Sequence, residues 1–162
     1  MSEVIRKVTN FIYNTKSKRK KFVFSYPDEK IILCDAAKGV KLKNDKVPEY
    51  GKEWVIAKRC ALLISEKQII AGNWNINISD IKEAEVIKFG TIYGKGMVLK
   101  INTNNNEYYQ FGLQYNKVLE EQNIITINIK KQELKLSIFS LLIRLLALGF
   151  LLYYIITKFI FK

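Results

Sequence analysis

The residues with chemistry to offer in this chain are mostly cations. Lys16, Lys18, Arg19, Lys20 and Lys21 put five basic side chains into six positions, and Arg6 and Lys7 lie shortly before them. A run like this has ionic chemistry only, and beside an anionic leaflet each charge contributes about 1 kcal/mol. Three destinations are open to it: solvent, as a plain linker; lipid headgroups; or the phosphates of a nucleic acid. Covalent chemistry has thinner support. The chain contains no histidine, so the commonest general base and metal ligand is missing. Cys34 and Cys60 stand far apart, with no C-x-x-C pair, and read as buried small apolar residues in a reducing compartment. The stretch GTIYGKG, Gly90 to Gly96, lacks the G-K-[ST] ending of a phosphate loop and precedes an extended run, so it reads as a hairpin loop. The carboxylates are scattered without metal-loop spacing. Tyr108, Tyr109, Phe111 and Tyr115 cluster in sequence, but strand alternation sends them to both faces of a sheet rather than to one stacking platform. The expectation is a binding module with no catalytic, metal-ligating or cofactor-binding residues.

What positions the cations is the end of the chain. Leu136 to Thr157, LSIFSLLIRLLALGFLLYYIIT, holds no acid and one base, Arg144. As a helix it covers roughly 33 Å, close to the ~30 Å hydrocarbon core of a bilayer. Its 14 Leu, Ile and Phe residues sum to about −4 to −8 kcal/mol on an insertion scale, more than the roughly +3 of a central arginine. Arg144 sits near one end and can snorkel, while Tyr153, Tyr154 and Lys158 suit the opposite interface. The stretch therefore reads as a single membrane span. A core helix of a small domain is seldom apolar all round, and a helix lying in the interface needs a polar face. Lys117, Lys130, Lys131 and Lys135 precede the span and only Lys158 and Lys162 follow it, which places the N-terminal domain in the cytoplasm. The first residues contain no apolar run of signal-peptide length.

Of the 27 basic residues, 24 precede the span, against all 15 acids. That excess favours anionic partners. Val4, Ile5, Val8, Phe11 and Ile12 recur at helical spacing and predict a short amphipathic helix over residues 3–13. Its apolar face has two possible seats, its own domain or the inner leaflet. From Phe22 on, short β-type runs replace the helical period, beginning with Phe22-Val23-Phe24 and Lys30 to Leu33 around a Pro27-Asp28 turn. Further runs follow at Val40–Leu42, Trp54–Ala57, Ala61–Ile64, Gln68–Ala71, Ile81–Phe89, Met97–Thr103, Glu107–Phe111 and Ile124–Ile129, with a short helix over Lys117–Gln122. The expected organisation is a basic N-terminal arm (1–21), a β domain (22–130) and the span (131–162). Many short strands separated by turns indicate an antiparallel barrel or two packed sheets.

Within ALLISEKQIIAGNWNINISDIKEAE, which starts at Ala61, an apolar strand leads to Ser65, Lys67, the pair Ile69-Ile70 and the turn Ser79-Asp80-Ile81. MVLKINTNNNEYYQF, from Met97, then gives an L-x-I strand, a polar turn and a Y-x-F strand. This pattern, over about residues 54–112, resembles bacterial pleckstrin-homology-like and GRAM-like domains. The resemblance implies a small antiparallel barrel of two packed sheets closed by a helix, for which residues 115–122 are the candidate. It also implies a non-enzymatic module that contacts a protein partner, itself or anionic lipid. The alternative is a membrane-attached nucleic-acid binder using the basic arm, and nucleic acid is the less expected partner. Asp80 is expected to fix its turn by accepting backbone N–H groups.

Overall fold

The computed structural model describes residues 2–48, 54, 56–91, 94–132 and 138–159. The chain falls into two compact units, Met1–Pro48 with Ala57–Glu133, and Glu49–Ile56 with Leu134–Lys162. In the first, helices α1 (Ser2–Ile12) and α2 (Thr15–Ser25) precede strands β1 (Ile31–Leu42), β2 (Lys58–Ser65), β3 (Gln68–Ala71) and β4 (Trp74–Asn77). Strands β5 (Ile81–Thr91), β6 (Gly94–Thr103) and β7 (Tyr108–Gln114), the short helix α3 (Lys117–Glu121) and strand β8 (Ile127–Lys131) complete it. The run Trp54–Ala57, expected to be extended, is not a strand: Trp54 and Ile56 have helical backbone, and Val55 lies outside the described residues.

The strands form one curled sheet, a half-barrel, in the order β4-β3-β2-β1-β7-β6-β5-β8. The expectation is a small antiparallel barrel of two packed sheets; the structure shows one continuous curled sheet, and β1 explains the continuity. Its residues 31–39 pair with β2 while 37–42 pair with β7, so a single long strand stitches the two halves together. Small residues mark the crossover. A Cβ on Gly39 would sit 2.6 Å from the Trp74 ring and 2.9 Å from that of Phe111, so only glycine lets both rings close over β1. The expected all-antiparallel pairing also fails at the edge, where β8 runs parallel to β5. Parallel pairing needs a crossover, and residues 115–126, with α3, carry the chain across from β7.

Phe22-Val23-Phe24 is helical rather than extended. Lysine and arginine are good helix formers, and the turn that starts with them carries on until Phe22 is buried. β2 is buried continuously from Cys60 to Ser65, because both its faces are covered; α2 packs on β1 and β2. The core gathers Leu62, Ile64, Ile69, Val86, Leu99 and Phe111 from the sheet, with Leu119 of α3 packed among them.

The turn chemistry follows the sequence closely. Gly72, at φ +60°, and Asn106, at φ 56°, occupy the left-handed positions of two hairpins. Ser65 accepts the Gln68 N–H at 3.2 Å and donates to Glu29. Glu29 also takes Gln68 Nε2 at 3.1 Å and the Lys67 N–H at 3.2 Å, so one carboxylate ties the β2–β3 hairpin to the start of β1. Asp80 does sit in its turn, but its side chain accepts from Asn77 Nδ2 at 3.0 Å rather than from backbone, and its carbonyl takes the Asn104 N–H at 2.8 Å.

In the second unit, α4 (Ile138–Phe159) is 22 residues long. Its window Leu141–Lys158 has mean hydropathy 1.8 and none of it is buried. This helix is long and apolar enough to cross a membrane.

Candidate membrane-contact surface

α1 is docked by its polar side. Asn10 Nδ2 donates to Asp35 Oδ1 at 2.6 Å, and Asn10 Oδ1 accepts the Ala36 N–H at 2.6 Å, so one amide pairs with β1 twice. Asp35, only 4% exposed, takes its other bond from Asn116, whose own Oδ1 caps α3 by accepting the Val118 N–H at 3.0 Å. Thr15 Oγ1 donates to the Asn10 carbonyl at 3.2 Å, and the Cys34 thiol donates to the Thr15 carbonyl at 3.5 Å. Asn14, at φ 52°, makes the left-handed step between the two helices. The result is a polar knot joining α1, β1 and α3.

Docking by that side leaves the apolar face of α1 outward. Val4, Val8, Phe11 and Ile12 are exposed, Phe11 at 86%, while Ile5, Arg6, Thr9, Asn10 and Tyr13 are the half-buried ones. At 100° per residue the two sets lie roughly 150° apart around the helix. An amphipathic helix in a soluble domain normally buries its apolar stripe. Here the stripe faces away from the sheet. α2 adds Phe24, 91% exposed, and Val23. Around Val23 are Lys16, Arg19 and Lys20, which with it line a shallow groove of about 380 Å³.

The cations named from sequence divide accordingly. Lys16, Arg19, Lys20 and Lys21 are exposed on α2, and Lys18 is half-buried. Lys7 is exposed but pairs with Glu3 at 3.6 Å, and Arg6 is half-buried on the domain side of α1. In the other unit, Arg144, Tyr153, Tyr154 and Lys158 are all exposed on α4. The Lys158 ammonium donates to Tyr154 Oη at 2.8 Å and lies 5.1 Å from that ring's centre. Lys135 and Lys162 lie outside the described residues.

Asn10, Asp35 and Asn116 were not singled out from sequence. The available signal was an acid in the middle of an apolar strand, Cys34-Asp35-Ala36-Ala37, which has to find donors once buried. The thiols are poor nucleophiles. Burial, with the Asp35 charge, pushes Cys34 up to about 11 against the pull of Arg19 and Lys18, and burial takes Cys60 to about 11.

The chain combines a curled β-sheet domain carrying an N-terminal helix pair with an apolar helix of membrane-crossing length. No protein-family model, curated protein or solved structure matches the chain.

Proposed function

We propose that this protein is a non-enzymatic binding module, anchored by α4 as a single span, whose α1–α2 layer rests on the anionic cytoplasmic leaflet. One observation carries the reading: α1 holds its domain through Asn10 and turns Val4, Val8, Phe11 and Ile12 outward. An apolar stripe beside Lys16, Lys20 and Lys21 matches a leaflet, where the stripe enters the acyl boundary and the cations meet headgroups. The anchor supplies the effective concentration, so weak contact with the leaflet is enough to orient the sheet domain toward partners on the same membrane. The pleckstrin-homology-like reading of about residues 54–112 draws support from the six antiparallel strands β2–β7 that begin there and from helix α3 after them. The greater positive charge ahead of the span supports a cytoplasmic domain.

The test places an environment-sensitive dye on Val8→Cys in the full-length chain, since Cys34 and Cys60 react slowly. In nanodiscs containing phosphatidylserine the dye emission shifts to the blue. Phe11→Ser in the same background lowers the ratio of inserted to free helix by about 10- to 100-fold, the loss of one largely exposed phenyl ring. Emission identical in nanodiscs and in uncharged detergent defeats the leaflet reading. So does a full-length chain that stays monodisperse in plain buffer.

A further inference from the structure

The inner face of the sheet does not end in apolar residues. On β5 the core positions Ala84 and Val86 are followed, two residues on, by Lys88. On β6, Lys95 stands two residues before the core residue Met97. On β8, Lys131 is the direct register partner of Lys88. Strand alternation puts these three lysines on the core-facing side, where the core stops. With Phe89, Gly96, Tyr115 and Gln132 they line an open cleft of about 540 Å³, within the usual range for a small-ligand site.

Like charges placed opposite one another across a strand pair destabilise the sheet. Lys88 is answered by Glu120 of α3, at 2.6 Å. Among the described residues, Lys95 and Lys131 have no carboxylate partner, so the cleft keeps two uncompensated charges. Its walls are nevertheless fixed by main-chain bonds. The Tyr115 N–H reaches the Lys95 carbonyl at 3.1 Å, and the Gln132 N–H reaches the Lys88 carbonyl at 3.0 Å. A partly apolar cleft with two exposed, spare ammonium groups is matched to a compact anion carrying some carbon skeleton.

We propose that this cleft binds a phosphate monoester, with Lys95 and Lys131 donating to the phosphate oxygens and Tyr115 packing against the attached organic group. Lysine ammoniums donate in several directions, which suits a tetrahedral dianion better than a planar carboxylate. Lys88, held by Glu120, adds field without giving up its partner. The ligand is either a soluble phosphate ester or a phosphorylated lipid headgroup. Only the second source rests on the membrane reading above.

The experiment uses the full chain in uncharged detergent, titrated with inorganic phosphate against chloride at equal ionic strength. Phosphate raises the thermal midpoint of the wild type, and Lys95→Ala with Lys131→Ala weakens phosphate binding by about tenfold or more. Lys131→Ala alone, without phosphate, melts at or above the wild-type temperature because its repulsion with Lys88 is gone. That result separates a ligand-site lysine from one needed for folding. Lys20→Ala with Lys21→Ala on α2 leaves the phosphate response unchanged, which keeps this site distinct from the leaflet surface. A second arm compares nanodiscs of phosphatidylcholine carrying phosphatidylinositol 4-phosphate or charge-matched phosphatidylserine. Preference for the phosphoinositide, lost in the double variant, identifies a headgroup. A phosphate response without that preference identifies a soluble ester. No phosphate response beyond chloride, or an undiminished one in the double variant, overturns the proposal.

Discussion

Asn10→Ala isolates what holds α1 to the sheet. The substitution removes a hydrogen bond to the Asp35 carboxylate and strips the Ala36 N–H of its acceptor. A bond to a charged group is worth about 1.5–3 kcal/mol, and a donor left buried without a partner costs about 1–3. Together that is roughly 2.5–6 kcal/mol, a large share of the 5–15 typical of a whole domain. The protein has a less expensive response, however. The apolar face of α1 is already in solvent, so lifting the helix exposes little new apolar surface and lets water reach both Asp35 and the Ala36 amide. The cost is then capped at the docking free energy of α1, and the loss is local. Amide exchange measured on the full chain in detergent therefore accelerates at Ala36 and through α1, by roughly 70-fold for a loss of about 2.5 kcal/mol. Amides in β2 and β6 keep their protection. Phe11→Ala, at a largely exposed position, leaves the same α1 amides within about 0.5 kcal/mol of wild type. Unchanged exchange at Ala36 in Asn10→Ala, or faster exchange in Phe11→Ala than in Asn10→Ala, would show that apolar packing docks the helix, and the outward stripe would lose its explanation.

Two other perturbations test the fold. Gly39→Ala places a methyl group 2.6 Å from Trp74 and 2.9 Å from Phe111, and the repacking lowers stability by about 1–3 kcal/mol in urea unfolding; an unshifted midpoint would mean that both rings move freely. Acid stability should depend on Glu29. Burial alone would raise its pKa, but bonds from Ser65, Gln68 and the Lys67 N–H, with the Lys67 charge, hold it below the ordinary 4.5. A carboxyl whose folded pKa lies below its unfolded one contributes stability above about pH 4.5 and loses it as pH falls through the folded value. Glu29→Gln therefore lowers the thermal midpoint at pH 7 and flattens its decline between pH 5 and 3. Wild-type and variant curves that stay parallel over that range would place the acid sensitivity elsewhere.

Local physics made much of this molecule readable in advance. Gln68–Ala71 lies between turns whose residues dictate their own geometry, and the strand keeps those bounds. The Asn104–Asn106 turn likewise delivers its left-handed residue, Asn106. Failures occurred where a long-range partner decides. Phe22-Val23-Phe24 has strand composition, yet the helix begun by the lysines runs through it because Phe22 finds a buried seat. From sequence β1 reads as two runs, since no local signal says that one strand changes neighbours near Ala37. The periodicity of α1 was plain, but periodicity names a stripe and not the direction it faces. That direction is set by Asn10, Asp35 and Asn116, which lie 25 residues and then 81 residues apart in sequence. A polar residue that would be unremarkable on a solvent face becomes the docking contact once an acid is buried opposite it, and the apolar stripe is then left for whatever the helix meets next. In a chain that also carries an apolar helix long enough to cross a membrane, the proposed occupant is a leaflet, because its chemistry matches both the stripe and the lysines beside it.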